Sequence, residues 1–328
     1  MLRHVTPHIR PTTSSHRNAQ AGCVGMRIGV ASNPSSGAGR GARYGTQVRS
    51  LLAVYGATIV ELSGRNAAEC LAAARSEVLA GNLDALFVVG GDGMVHIGVE
   101  ALAGTHVPLG IISVGSGNDI AREFGLPIRN VPRAVHRAVT ALLAGRSRAT
   151  DTIEVTHRSG NAHALAVLSA GIDAATNLRT NQLTWPKGNL RYARALFQCL
   201  TEFSPYGLEV EVDGKVASGA ATLVAAANTR FVGGGMNIAP SARTDDGLLD
   251  IIIARAMSVP EIVSLFPLLY GGRHIHAKGV HLLRGQHIRI NAKPSAGAPA
   301  PTAMADGEII GEVPLNIYCR PGSLELLV

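Results

Sequence analysis

Carboxylates and hydroxyls held in glycine turns recur four times along this chain, as Asn33-Pro34-Ser35-Ser36-Gly37, Gly90-Gly91-Asp92-Gly93, Gly115-Ser116-Gly117-Asn118-Asp119 and Asp306-Gly307-Glu308. Such turns suit phosphate chemistry. A glycine lets the backbone approach phosphate oxygens without a Cβ in the way, and a following helix adds unpaired N–H groups and a partial positive charge. A carboxylate such as Asp92 sits beside phosphate only through a cation or ordered water. Each turn also has a plainer reading: Asp92 as a helix N-cap, the Asn33 turn as an ordinary strand-to-helix loop, and Asp306-Gly307 as a hairpin dipeptide like Asp213-Gly214. Three coincident turns in one domain favour one shared site, and together they read as a nucleoside-triphosphate site.

The first three turns each follow an apolar run and precede a helical pattern. From Met26 to about Arg148 strands and helices alternate, with strands at 27–31, 57–62, 83–89 and 108–114 and helices at 40–55, 67–79, 94–103 and 118–124 and again after Pro132. This is the layout of a doubly wound parallel sheet, which binds ligands where its strands end. After Asp151 the pattern turns to period two, and Leu208 to Val212 followed by Asp213-Gly214 is its clearest hairpin, so a second, mainly β domain is expected over 151–328. Its last strand could pack back on the first domain. Two helical stretches interrupt it, Leu190 to Phe203 and Val259 to Tyr270; Leu190, Ala193, Phe197 and Leu200 share one face, which reads as core or inter-domain packing rather than lipid contact. Residues 1–25 have no periodic apolar pattern and read as a disordered tail.

The 328 residues, 46% of them apolar, suffice for two domains, and 38 glycines against few aromatics point to turn-rich α/β and β structure. Cys23, Cys70, Cys199 and Cys319 are too dispersed for a disulfide framework or a zinc site, which fits a cytoplasmic setting. The net charge of +7 is diffuse and comes with no nucleic-acid motif, so anionic small molecules or lipid head groups are the expected partners. No apolar run reaches the roughly 18 residues that span a bilayer. Membrane contact would be peripheral, and self-association as a homodimer is left open. Asp245 and Asp246, in the turn before Leu249, could hold a hard cation or simply face solvent.

Taken together, these motifs resemble the diacylglycerol kinase catalytic-domain family, which includes sphingosine kinases and bacterial lipid kinases, from about Met26 to Val328. The resemblance implies an N-terminal nucleotide domain akin to NAD kinases and phosphofructokinases, a C-terminal β-sandwich that admits a lipid, and transfer of the γ-phosphoryl group of ATP to a lipid hydroxyl. It places Asn33, Ser36, Gly37, Ser63, Gly90, Gly91, Asp92, Gly93 and Ser116 around ATP, with Asp119 supporting them. It implies a structural Mg²⁺ held by Asp246, the Leu248 carbonyl and the Arg243 backbone, and a catalytic base at Asp306 with Glu308 beside it. Met94 and His96 stand where the family usually has Thr and Asn. Loss of the Thr hydroxyl removes one phosphate donor, worth about 1 to 2 kcal/mol. Two other readings remain: a small-molecule kinase like NAD kinase, and a nucleotide- or lipid-binding regulator without turnover.

Overall fold

A computed structural model describes residues 22–33, 41–186 and 189–328. The first domain is built on four parallel strands, β1 (Arg27–Ser32), β2 (Thr58–Glu61), β3 (Ala85–Gly90) and β4 (Leu109–Ser113), in the order β4-β3-β1-β2. The helices α1 (Gly41–Val54), α2 (Ala67–Leu79), α3 (Asp92–Leu102), α4 (Asp119–Glu123) and α5 (Val131–Leu143) connect and cover them. β3 is buried along its whole length, as its unbroken apolar sequence requires for a strand with helices on both faces. The strand order reverses between β1 and β3, and the glycine turns leave the carboxyl ends of the strands there.

The second domain is a β-sandwich-like body. It comprises β5 (Arg148–His157), β6 (Gly160–Ala164), β7 (Val167–Gly171), β8 (Tyr206–Val212), β9 (Lys215–Ala227), the short pair β10 (Phe231–Val232) and β11 (Met236–Asn237), β12 (Leu249–Arg255), β13 (Val280–Gly285), β14 (His287–Ala292), β15 (Ala303–Ala305), β16 (Glu308–Gly311) and β17 (Leu315–Leu326). Its helices are α6 (Ile172–Gln182), α7 (Asn189–Thr201) and α8 (Val259–Tyr270). The end of β17 returns to the first domain, where Leu326 pairs in parallel with Leu109 and the Leu327 amide donates to the Leu109 carbonyl at 2.9 Å. One set of buried apolar side chains runs from Leu86 and Leu109 across to Ala225, Ile238 and Leu324, so the two halves share a core.

Two expectations are corrected. Residues 22–25 do not belong to a disordered tail: Cys23 is fully buried and its amide donates to the Tyr55 carbonyl at 2.6 Å. The rest of that expectation, residues 1–21, lies outside the described residues. On α7, Leu190 and Phe197 are 69% and 70% exposed, and Ala193 is exposed as well. Of the four residues expected on the packed face Leu200 alone is buried, joined by Ala195, and the helix packs against α6.

Candidate functional site

Two of the glycine turns meet. A Cβ on Gly115 would lie 2.5 Å from the Gly91 Cα, and one on Gly91 would lie 3.3 Å from the Gly115 Cα, so only glycine permits this approach. β3 and β4 bring them together through the Gly90–Ser113 pairing, and the Val114 and Gly115 amides both donate to the Gly90 carbonyl, at 2.8 and 3.2 Å. Asn118, left-handed at φ 56°, locks the second turn by accepting from the Gly115 amide at 3.0 Å and donating to the Gly115 carbonyl at 2.8 Å. Arg129 donates to the same carbonyl at 3.2 Å. α3 begins at Asp92, so its first amides open beside this junction and can donate to an anion.

Asp92 and Asp119 face the same glycine: a Cβ on Gly117 would be 3.0 Å from Asp92 Oδ2 and 3.7 Å from Asp119 Oδ2. Burial pushes both carboxyls up, and for Asp92 the neighbouring Asp119 adds to the rise. The Ile120 amide donates to Asp92 Oδ1 at 3.2 Å. Asp119 pairs with Arg122 and accepts the Gly234 amide at 2.6 Å, which ties the Gly115–Asp119 turn to the Gly233-Gly234-Gly235 loop of the second domain. Two carboxylates raised in this way favour a cation beside them.

Across a cleft from Asp92, Ser116 and Asp119 lie Asp306 and Gly307. Asp306 and Gly307 form a two-residue turn between β15 and β16, with φ 52° and 88° and Ala305 paired to Glu308. The Asp306 side chain has no exposed surface. Its carboxylate accepts the Leu165 and Ala166 amides at 2.8 Å each and the Val167 amide at 3.3 Å, and His96 Nδ1 lies 3.4 Å from Oδ2. A carboxylate has about four lone-pair sites, so this one is nearly filled. Glu308 is exposed beside the α3 start, where a Cβ on Gly93 would lie 3.1 Å from its Oε1. It shares an opening with His96, Glu100 and Arg75. The expectation gave the base position to Asp306 with Glu308 beside it; with the Asp306 oxygens taken by backbone amides, Glu308 is the freer carboxylate.

At the outer sheet edge, Ser63 follows β2 and its Oγ is 2.7 Å from Ser32 Oγ, while it accepts the Ser32 amide at 3.0 Å. Asn33 follows β1 and is exposed; Ser36 and Gly37 lie outside the described residues.

At the expected cation site of Arg243, Asp246 and Leu248, the chain's own donors hold the Asp246 carboxylate. Asp246 Oδ2 pairs with the Arg284 guanidinium, its Oδ1 accepts the Leu248 amide at 3.1 Å, and Arg284 Nε donates to Asp250 Oδ1 at 2.8 Å. Ser241 fills the other Asp250 oxygen, and Arg243 turns to Asp245 at 3.5 Å. The Arg284 guanidinium thus supplies positive charge to the carboxylate that the expectation gave to Mg²⁺. Among the described residues no three His, Cys, Asp or Glu side chains gather at a metal-binding distance.

Beyond the cleft lies an apolar cavity walled by side chains such as Leu196, Met236, Ile252, Leu265, Phe266 and Leu269. Asp173, Asn177 and Tyr192 border both spaces. Burial pushes the Asp173 carboxyl up to about 6, against the Ser169 hydroxyl and the first α6 amides, and it also raises the Tyr192 phenol. Sequence reasoning missed Asp173. Its signal was an acid in the first helical turn after the apolar strand Val167–Gly171, the same strand-to-helix context as the glycine turns.

Comparison with known proteins agrees with this architecture. Residues 27–155 match the family described as the diacylglycerol kinase catalytic domain, and residues 166–328 match the YegS C-terminal NAD kinase beta sandwich-like domain. The chain is 33% identical over 303 residues to a diacylglycerol kinase of Mycobacterium tuberculosis (strain ATCC 25618 / H37Rv), covering 92% of this chain and 94% of that protein. It is 26% identical over 253 residues to a diacylglycerol kinase of Bacillus subtilis (strain 168), covering 75% and 78%. A crystal structure of a diacylglycerol kinase from Bacillus anthracis str. Sterne superposes with a TM-score of 0.65 at 18% identity, over 92% of this chain and 96% of that one, which shows the shared fold.

Proposed function

The chain belongs to the diacylglycerol kinase catalytic-domain family, and from that premise we propose that it transfers the γ-phosphoryl group of ATP, bound as its magnesium complex, to the hydroxyl of diacylglycerol or a related lipid. The observation that carries this reading is the back-to-back contact of Gly91 and Gly115, facing across one cleft the Asp306 turn of the other domain and opening into an apolar cavity.

In this reading the turn amides and the α3 N-terminus cradle the triphosphate, and Asp92 and Asp119 face its cation. The acyl chains fill the apolar cavity and leave the hydroxyl in the cleft. A lipid hydroxyl is a weak nucleophile near neutral pH, so a carboxylate must take its proton as the oxygen attacks phosphorus and the bond to ADP breaks. Asp306, buried and capped by amides, fixes the cleft wall and holds the segment 165–167. Glu308, exposed beside the α3 start and directly following Gly307 of the cleft wall, takes the proton. Buried walls on both sides limit access of water to the transferred group.

The lipid would arrive from a membrane surface. No helix among the described residues is long and apolar enough to cross a bilayer. Trp185, Leu190, Phe197, Val263 and Tyr270 are nevertheless exposed on α7, α8 and the segment before α7, whose inner faces line the cavity. Arg194 stands among them, exposed, and suits an anionic interface. A cytoplasmic enzyme resting peripherally on the bilayer follows from this reading.

The test is incubation with γ-labelled ATP and Mg²⁺, supplying a total lipid extract in mixed micelles in one arm and NAD in another. Label in the lipid phase that vanishes in Asp92→Ala supports the proposal. Label in NAD favours a small-molecule kinase, and nucleotide binding without labelled product favours a regulator.

A further inference from the structure

Resting on the kinase reading above, we infer that Asp173 selects lipid alcohols that carry a second hydrogen-bond donor beside the hydroxyl receiving phosphate. Asp173 stands in the first turn of α6, where the polar cleft meets the apolar cavity, so it lies where the head group of a seated lipid must pass. Its Oδ1 is shielded from water and has no hydrogen-bond partner. A buried carboxylate oxygen left unpaired is costly, and rotation of the carboxylate toward the cleft lets a ligand's donor pair with it and recover that cost.

Apart from the Ser169 hydroxyl and the first α6 amides, which face the carboxylate, the surrounding groups leave the position open. On α7 the Arg191 guanidinium donates to the Leu183 carbonyl at 3.2 Å, and the Tyr192 phenol is kept neutral by burial. His274, across the cavity, donates or accepts at the Ile238 carbonyl through Nε2 at 2.9 Å, and burial keeps its ring neutral. The charged groups across the cleft are Asp92, Asp119 and Asp306, all acidic. None of these offers Asp173 a fixed cation.

The chemistry then separates lipid classes. A diacylglycerol has one O–H, the one that reacts, and its remaining oxygens are ester oxygens that only accept. A monoacylglycerol has a second hydroxyl, and a long-chain 2-amino alcohol has an ammonium, so each offers Asp173 a donor. A site with a buried acceptor discriminates strongly against a ligand that leaves it unpaired. A hydrogen bond to a charged group corresponds to about a tenfold to hundredfold preference. The raised carboxyl adds a second signature: below about pH 6 Asp173 becomes a donor itself and can serve an ester carbonyl, so the preference weakens as pH falls through that value.

The experiment measures kcat/KM of the full chain with γ-labelled ATP and three micellar acceptors: dioleoylglycerol, monooleoylglycerol and a long-chain 2-amino-1-alcohol. The wild type should prefer at least one of the two second-donor lipids over dioleoylglycerol by about tenfold or more at pH 7.5, and less at pH 5.5. The two second-donor arms tell a hydroxyl from an amine. Asp173→Asn and Asp173→Ala should erase most of that preference while retaining turnover of dioleoylglycerol. Thermal melts of both variants check that each is folded under the assay conditions. A wild type that favours dioleoylglycerol, or a preference unchanged in both variants, overturns the inference and leaves the kinase reading standing. Absence of label in all three lipids, with label appearing in a soluble acceptor, overturns both.

Discussion

Asp213-Gly214 and Asp306-Gly307 are one turn built twice. Their φ angles are 46° and 82° in the first and 52° and 88° in the second, and each closes a two-residue loop, between Val212 and Lys215 or between Ala305 and Glu308. Each aspartate also uses its carboxylate in the same way, accepting backbone amides from a neighbouring segment: Gln286 and His287 for Asp213, Leu165 to Val167 for Asp306. The difference is where the fold delivers them. Asp213 is exposed at a sandwich edge, whereas Asp306 is buried on the wall of a cleft facing two glycine turns, with His96 against it and an acid at the next residue but one. A hairpin dipeptide thus carries no function of its own, and the residue after it can matter more than its aspartate.

The largest expected effect separates Glu308 from its counterpart Lys215. Glu308→Gln should lower kcat by about a hundredfold or more, as loss of a general base does, with the melting temperature nearly unchanged. Steady-state transfer and thermal melts on Glu308→Gln and Lys215→Gln check this, and Lys215→Gln should leave both unchanged. Next come the two aspartates. Asp306→Asn places an amide NH₂ among buried backbone donors and should cost about 2 to 3 kcal/mol in urea unfolding, well above the cost of Asp213→Asn at its exposed turn. Equal losses would show that burial does not distinguish the two turns.

The Arg284 cluster offers a third contrast, between a cation supplied by the chain and one supplied by solvent. Wild-type melting should not shift when EDTA replaces Mg²⁺ in the absence of nucleotide. Arg284→Ala leaves Asp246 and Asp250 facing each other unpaired, so it should melt lower by several degrees and recover part of that loss with millimolar Mg²⁺ or Ca²⁺. Metal-dependent melting in the wild type would contradict the assignment.

The smallest effect is a pH dependence absent at Asp213. Burial works against a charged His96 ring, but the hydrogen bond and charge of Asp306, with Glu100 and Glu308 behind it, outweigh burial and raise its pKa above the ordinary value. The folded state then holds the proton more tightly than the unfolded chain. Stability from the pair is present at mildly acidic pH and is lost as pH rises through the raised value. Urea unfolding across pH 5 to 9 should show this slope in the wild type and not in His96→Asn.

Local rules made much of this legible before any coordinates. The helices at Ala67–Leu79 and Val259–Tyr270 fall at the expected bounds, since Asn66 caps the first and a Ser258–Glu261 capping box starts the second. The parallel sheet and the Asp213 hairpin follow from apolar runs and turn chemistry in the same way. What the residues could not reveal was pairing across long separations. The amides that fill Asp306 lie 139 to 141 residues away, and Arg284 meets Asp250 only through the β12–β13 register. The outward turn of Leu190 and Phe197 on α7 was hidden for a related reason, because helical periodicity defines a face and not what the face meets.

The central claim is that the turns of β3 and β4 bind one triphosphate opposite the Asp306–Glu308 hairpin. A crystal structure of the protein with a non-hydrolysable ATP analogue and Mg²⁺ addresses it most directly. The account predicts the γ-phosphate at the start of α3, within hydrogen-bonding distance of amides from both turns and close to Glu308. A nucleotide seated elsewhere, with its terminal phosphate remote from Gly91 and Gly115, would contradict it.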